Sequence, residues 1–101
     1  PAALAPELRR TAARQHALMG DPLAAAATLG AGPQDEESLR QRARWLLDAG
    51  DRPALAALYE ETAALDRVPP PERRLLLGML AEGLLRWREA EAWYASVPRG
   101  E

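Results

Sequence analysis

Two Gly-Asp pairs interrupt this chain of 101 residues, at Gly20-Asp21 and at Gly50-Asp51. Each pair follows a stretch with helical periodicity, and a proline comes soon after it, Pro22 or Pro53. Glycine ends a helix in the left-handed conformation at little cost, aspartate caps the next helix, and proline is tolerated in a first helical turn. The repeated pattern therefore predicts a helix, a tight turn and another helix at both places.

Apolar residues at helical spacing predict six helices, and no stretch alternates as a strand would over more than a few residues. The predicted helices span residues 7–19, 22–29, 35–49, 53–65, 71–84 and 87–97. The run Val68-Pro69-Pro70-Pro71 is a firm boundary before the fifth helix. The fold class is therefore all-α. The short turns predict three antiparallel hairpins, over residues 6–32, 35–67 and 70–98.

Apolar stripes on these helices predict which residues form the core. The residues on these stripes are Leu8, Ala12, His16 and Met19 in the first helix, Leu39, Ala43, Leu46 and Leu47 in the third, and Leu55, Leu58, Tyr59 and Thr62 in the fourth; for His16 we expect a packed or partly exposed side chain.

Composition excludes several classes of function. The net charge of −2 gives no reason to expect nucleic acid as a partner. Cysteine is absent, which removes disulfides, thiolate catalysis and cysteine metal sites. No apolar run approaches the ~18 residues that a membrane-spanning helix needs. All thirteen basic residues are arginine, and lysine, asparagine and isoleucine are absent, a bias that indicates a GC-rich bacterial genome.

Residues 37–101 resemble the tetratricopeptide repeat, a two-helix unit of about 34 residues. The matching residues of the last unit are Leu77-Gly78 in its first helix, Trp87, Ala90 and Tyr94 in its second, and Val97-Pro98 at its end. In the preceding unit Ala43 takes the place of Gly78, and Tyr59 takes that of Tyr94. Arg42 and Leu55 depart from the pattern, and the first unit matches less well.

The resemblance implies a right-handed α-solenoid of three stacked hairpins, and a non-repeat helical bundle is the alternative. Because the chain starts at Pro1 rather than at a methionine, we expect one segment of a larger protein.

A concave, partner-binding groove is also implied by the resemblance, lined by the first helix of each unit. The expected groove residues are Arg10 and Arg14 in the first unit, Arg40, Arg44 and Leu47 in the second, and Met79 and Glu82 in the third. Because arginine suits two-point contacts with carboxylates, we expect an acidic or extended protein segment as the partner. The alternative is that these arginines are solvated and make i,i+4 contacts. Repeats that clamp a C-terminal carboxylate use asparagine, which this chain lacks.

Catalytic chemistry finds little support in the sequence. His16 is the one histidine, and Ser38 and Ser96 are the only serines, so a Ser-His-Asp set would need His16 beside one of them. His16 lies on the predicted apolar stripe, where a structural role is expected. The acidic run from Asp35 lacks the spacing of a calcium loop, and the glycines form no phosphate-binding loop. We expect no enzyme activity, catalytic residue, metal or cofactor.

The five aromatic residues fall into two sets. Tyr59, Trp87 and Tyr94 occupy packing positions of the repeat, so we expect them in the core. Trp45 and Trp93 are less fixed by the repeat register, and either could anchor a partner at the surface or stack on a sugar.

These expectations combine in a non-enzymatic scaffold for protein–protein interaction within a longer bacterial superhelix. The ending AEAWYASVPRGE resembles repeats of envelope-assembly and exopolysaccharide-export proteins, which implies a periplasmic location. The alternatives are a cytosolic regulatory module, a polysaccharide-binding repeat segment and a spacer with an unused groove. Self-association of the segment is also expected, because an excised solenoid exposes its apolar ends.

Overall fold

The computed structural model describes residues 5–32 and 34–98, and within them all regular structure is helical. The helices are α1 Pro6–Leu18, α2 Pro22–Gly30, α3 Glu36–Ala49, α4 Arg52–Ala64, α5 Pro71–Gly83 and α6 Trp87–Ala95. The predicted all-α class is confirmed, and each helix begins and ends within about two residues of its predicted position.

The chain divides after Asp51 into two compact units. In the first unit, α2 packs against both α1 and α3. In the second unit, α5 packs against both α4 and α6. The division falls between the two helices of the predicted middle hairpin, and the pairing of those two helices stays a prediction.

The Gly-Asp turns have the backbone geometry that the sequence predicts. Gly20 and Gly50 have φ angles of +81° and +66°, in the left-handed region. The Asp21 side chain caps α2 by accepting a hydrogen bond of 3.0 Å from the Ala24 N–H, and Pro22 is the first residue of that helix. Local chemistry thus fixes where the helices end and begin.

In the turn between α5 and α6, Leu85 takes the left-handed conformation that Gly20 and Gly50 take in the two Gly-Asp turns. Leu85 has a φ angle of +61°, and its side chain is half exposed. The next N–H, of Arg86, donates to the Ala81 carbonyl at 2.8 Å, as the N–H of Asp21 donates to the His16 carbonyl at 2.9 Å. Both turns close with the same six-to-one hydrogen bond. Leu85 therefore carries strain that a glycine would not.

Leu85→Gly is expected to raise the free energy of unfolding by about 1 kcal/mol. A β-carbon in the left-handed region costs about 1–2 kcal/mol, and the greater freedom of glycine in the unfolded chain offsets part of that gain. Urea unfolding followed by circular dichroism measures the change. The matched control is Gly50→Ala, which should destabilise by about 1 kcal/mol because it introduces the same strain. A loss of stability in Leu85→Gly would contradict the prediction.

The core of the first unit combines alanines from all three of its helices with a few larger side chains. Ala13 of α1, Ala25 and Ala26 of α2, and Ala43 of α3 are at most 3% exposed. Leu39, predicted as core, is also fully buried. Alanine side chains let helix backbones approach closely, so the helix faces that pack together are those with the smallest residues.

The predicted apolar stripe of α1 is wrong. Leu8 is 58% exposed, Met19 is 80% exposed and His16 is exposed, whereas Ala12 is half-buried. The buried face of α1 is instead the one that carries Ala13. Large apolar residues suggested the other face, but close packing on the alanines of α2 selects the small side chain.

The core of the second unit contains larger residues. Its buried side chains are Leu55, Leu58, Tyr59 and Thr62 of α4, Leu76, Leu77, Leu80 and Ala81 of α5, and Ala90 of α6. The four predicted core residues of α4 are confirmed. A β-carbon at Gly78 would lie 2.5 Å from Cε1 of Tyr94, so α5 and the Tyr94 ring approach closely only because residue 78 is glycine.

The exposure of Trp87 differs from expectation, and that of Trp45 bears on a role that the sequence leaves open. Trp87, expected in the core, is 59% exposed, because no other part of the described chain covers its face of α6. Trp45, considered as a surface anchor, is only 7% exposed. Trp93 is half-buried, and its Nε1–H donates to the Tyr59 hydroxyl at 2.9 Å. Tyr59 is buried as expected, whereas the same expectation is wrong for Tyr94, which is 36% exposed at the edge of α6.

Candidate functional site

A cleft of about 260 Å³ lies in the first unit, between α1 and α3. Its lining consists of Arg10 and Arg14 from α1, Leu29 from α2, and Glu37, Ser38, Gln41 and Trp45 from α3. The cleft exists because α1 and α3 both pack on α2, which holds them side by side.

The inner part of the cleft is formed by side chains with little freedom to move. Leu29 and Ser38 are each 4% exposed, and Trp45 is 7% exposed. Glu37, Gln41 and Trp45 recur every four residues along α3, so they lie on one face of that helix. The result is an apolar floor with polar groups above it on the α3 side.

An acidic cap at the start of α3 holds one wall of the cleft in place. The Asp35 carboxylate accepts a hydrogen bond of 2.8 Å from the Ser38 N–H, and it lies 3.4 Å from Nη2 of Arg10. Hydrogen bonds from the Ser38 backbone and hydroxyl, with a smaller contribution from Arg10, lower the pKa of Asp35. Asp35 therefore stays ionised at neutral pH and keeps the Arg10 guanidinium beside the cleft.

Arg14 is the available cation of the cleft. Its side chain is exposed, and within residues 5–32 and 34–98 it makes no hydrogen bond or ion pair. It lies one helical turn from Arg10 on the same side of α1. Its guanidinium can therefore donate two parallel hydrogen bonds to a carboxylate that enters the cleft.

Of the seven predicted groove residues, the structure brings Arg10 and Arg14 together in the cleft. Arg40 and Arg44 are exposed on another face of α3, Leu47 is half-buried there, and none of the three lines the cleft. Met79 and Glu82 belong to α5 in the second unit. Met79 is 47% exposed, and Glu82 is exposed and accepts a hydrogen bond of 2.7 Å from the Tyr94 hydroxyl.

Sequence reasoning missed the α3 wall of the cleft. In the sequence, Glu37 and Gln41 resemble solvated helix surface, and the only chemistry that Ser38 suggests is that of a nucleophile. The available signal was the spacing of Glu37, Gln41 and Trp45, which places two polar groups beside one aromatic ring on a single face.

The described residues contain neither a metal-binding cluster nor a membrane-spanning helix. Among residues 5–32 and 34–98, no group of three or more histidine, aspartate and glutamate side chains could hold a metal ion. In the same part of the chain, no helix combines the length and the apolar character needed to cross a membrane.

Comparison with known proteins gave no matching family model, no matching curated protein and no matching solved structure. The geometry of the cleft is therefore the basis on which a function can be assigned to this chain.

Proposed function

We propose that this chain is a non-enzymatic, tetratricopeptide-like scaffold whose α1–α3 cleft binds an acidic, extended segment of another protein. The observation that carries the proposal is the Arg14 guanidinium, which has no ion-pair partner among the described residues and lines the cleft with Arg10, above the apolar floor of Leu29 and Trp45. The proposal keeps the three stacked hairpins of the resemblance. It is supported by the identical hydrogen-bond closure of the turns at Gly20 and Leu85.

The two walls of the cleft carry different side chains, so each would bind a different part of such a segment. A carboxylate on the α1 side would meet Arg14, and the hydrogen bonds would be charge-assisted. On the α3 side, the oxygens of Glu37 and Gln41 can accept backbone N–H groups of an extended chain. Glu37 disfavours a second carboxylate at that wall, so the preferred ligand carries acidic side chains on one edge only.

Selection from a displayed library of random hexapeptides tests the proposal. Wild-type protein is expected to enrich aspartate and glutamate. A chain with Arg10→Gln and Arg14→Gln should bind the enriched peptides at least about tenfold more weakly, because a charge-assisted hydrogen bond contributes about 1.5–3 kcal/mol.

The matched control carries Arg40→Gln and Arg44→Gln, which removes the same charge from the neighbouring α3 without touching the cleft. This control should keep wild-type affinity within about twofold, since exposed charges outside a site contribute little. Equal weakening of peptide binding in both variants would indicate that the peptide binds outside the cleft. Enrichment without acidic residues would contradict the assigned ligand.

A further inference from the structure

A second surface lies in the second unit, on the outer face of α6. Trp87 and Tyr94 stand about two turns apart on this helix, with exposed fractions of 59% and 36%. The small residues Ala90 and Ala95 lie between and beside them, which leaves a shallow groove of about 510 Å³. We call this surface the α6 groove; it is lined by Glu82, Trp87, Ala90, Glu91, Tyr94 and Ala95.

The charge of the α6 groove has a single sign. Glu82 of α5 and Glu91 of α6 border it, and no basic residue of the described part of the chain lines it. Within the described residues, Glu91 makes no hydrogen bond or ion pair. Glu82 is held by the Tyr94 hydroxyl through one carboxylate oxygen, and its other oxygen accepts no hydrogen bond from the described residues.

The Tyr94 wall of the groove is already formed without a ligand. Its ring lies against Gly78, where a β-carbon would come within 2.5 Å of the ring. Burial, and then the hydrogen bond to Glu82, raise the pKa of Tyr94 to about 12. The hydroxyl therefore keeps its proton at neutral pH and holds the Glu82 carboxylate at the edge of the groove.

We propose that the α6 groove docks a basic segment of a partner protein, with an arginine side chain lying over the Trp87 indole between Glu82 and Glu91. An exposed indole attracts a cation to its face, and two carboxylates of the groove add charge attraction. Arginine fits better than lysine, because its planar guanidinium stacks on an aromatic ring and pairs with a carboxylate through the same group.

The chain contains three tryptophans, so its indole N–H groups give three signals in a ¹⁵N–¹H NMR spectrum. The Trp87 signal, assigned with the Trp87→Phe variant, reports on the groove. The probe is a seven-residue peptide with two arginines, and its control is the same peptide with citrulline, which keeps the shape and removes the charge. We expect the arginine peptide to shift the Trp87 signal to saturation and to leave the Trp45 signal in place. The citrulline peptide should need about a tenfold higher concentration.

Paired variants show whether the groove carboxylates cause the binding. Glu82→Gln combined with Glu91→Gln should weaken the arginine peptide about tenfold or more. Glu72→Gln is the matched control, because Glu72 is exposed on α5 and does not line the groove, and it should bind as the wild type does.

Three results would overturn the proposal. The first is a Trp87 signal that stays unshifted up to millimolar arginine peptide, and the second is equal affinity for the citrulline peptide. The third is self-association, measured by sedimentation without peptide, that is lost in Trp87→Ser. That result would assign the groove to a second copy of this chain.

Discussion

Leu77→Ala is expected to lower the free energy of unfolding by about 2–5 kcal/mol. Leu77 is 0% exposed in α5, the helix that packs against both other helices of the second unit. Truncation removes buried apolar area and leaves a cavity that the surrounding side chains fill only in part. Because small domains have about 5–15 kcal/mol of stability in total, this is a large share of it. Urea unfolding monitored by circular dichroism measures the loss.

Leu75→Ala is the matched control for this prediction. Leu75 lies two residues earlier on the same helix and is 45% exposed, so its truncation should cost less than about 1 kcal/mol. The two variants delete the same atoms and differ only in burial. Equal losses in the two variants would contradict the difference in burial between Leu77 and Leu75.

Tyr59→Phe is expected to cost about 1–3 kcal/mol, although it removes a single oxygen atom. The Tyr59 hydroxyl accepts a hydrogen bond of 2.9 Å from Nε1 of Trp93 and donates one of 2.8 Å to Glu89. The tyrosine is 5% exposed, and the Arg86 guanidinium lies 5.4 Å from its ring centre. Removing the hydroxyl leaves the half-buried indole N–H without its acceptor, and that desolvated donor is the main source of the loss.

Tyr94→Phe provides the comparison for Tyr59. The Tyr94 hydroxyl also donates to a glutamate, Glu82, at 2.7 Å, but this pair is exposed. Water can replace the lost partner there, so the cost should stay below about 1 kcal/mol. A double-mutant cycle with Trp93→Phe tests the mechanism, since the Tyr59 and Trp93 changes should be non-additive. Additive losses, or equal losses in the two Tyr→Phe variants, would contradict it.

The helix boundaries were predictable because local chemistry sets them. Gly20 and Gly50 supply the left-handed residue of their turns, and Asp21 supplies a cap. Leu85 has the same backbone conformation, but leucine gives no sequence signal for it. Helical periodicity, rather than the turn residue, marked that third boundary.

The packing faces were less predictable because they depend on neighbouring helices. Periodicity on α3 and α4 identified Leu39 and Leu58 as core, since large apolar side chains face inward on both helices. On α1 the same reasoning chose Leu8, whereas close contact with α2 selects Ala13. Small side chains carry little weight in a hydrophobic pattern, so an alanine-rich interface is easily missed.

Only one of the two walls of the cleft was predictable from the sequence. Its arginine wall, Arg10 and Arg14, followed from the tetratricopeptide resemblance. Its other wall requires α3 to lie beside α1 on α2, which is a tertiary fact that no local pattern contains. Glu37 and Gln41 acquire a role only in that arrangement, because on an isolated helix they would be ordinary solvated residues.

The central claim is that the α1–α3 cleft binds a carboxylate-bearing segment, and the Trp45 indole N–H signal tests it most directly. Trp45 lies at the floor of the cleft, whereas Trp87 lies in the second unit. Adding an acidic hexapeptide enriched by selection should shift the Trp45 signal to saturation and leave the Trp87 signal in place. In the Arg10→Gln, Arg14→Gln chain the same shift should need at least about tenfold more peptide. Saturable binding that leaves the Trp45 signal unchanged would contradict the claim.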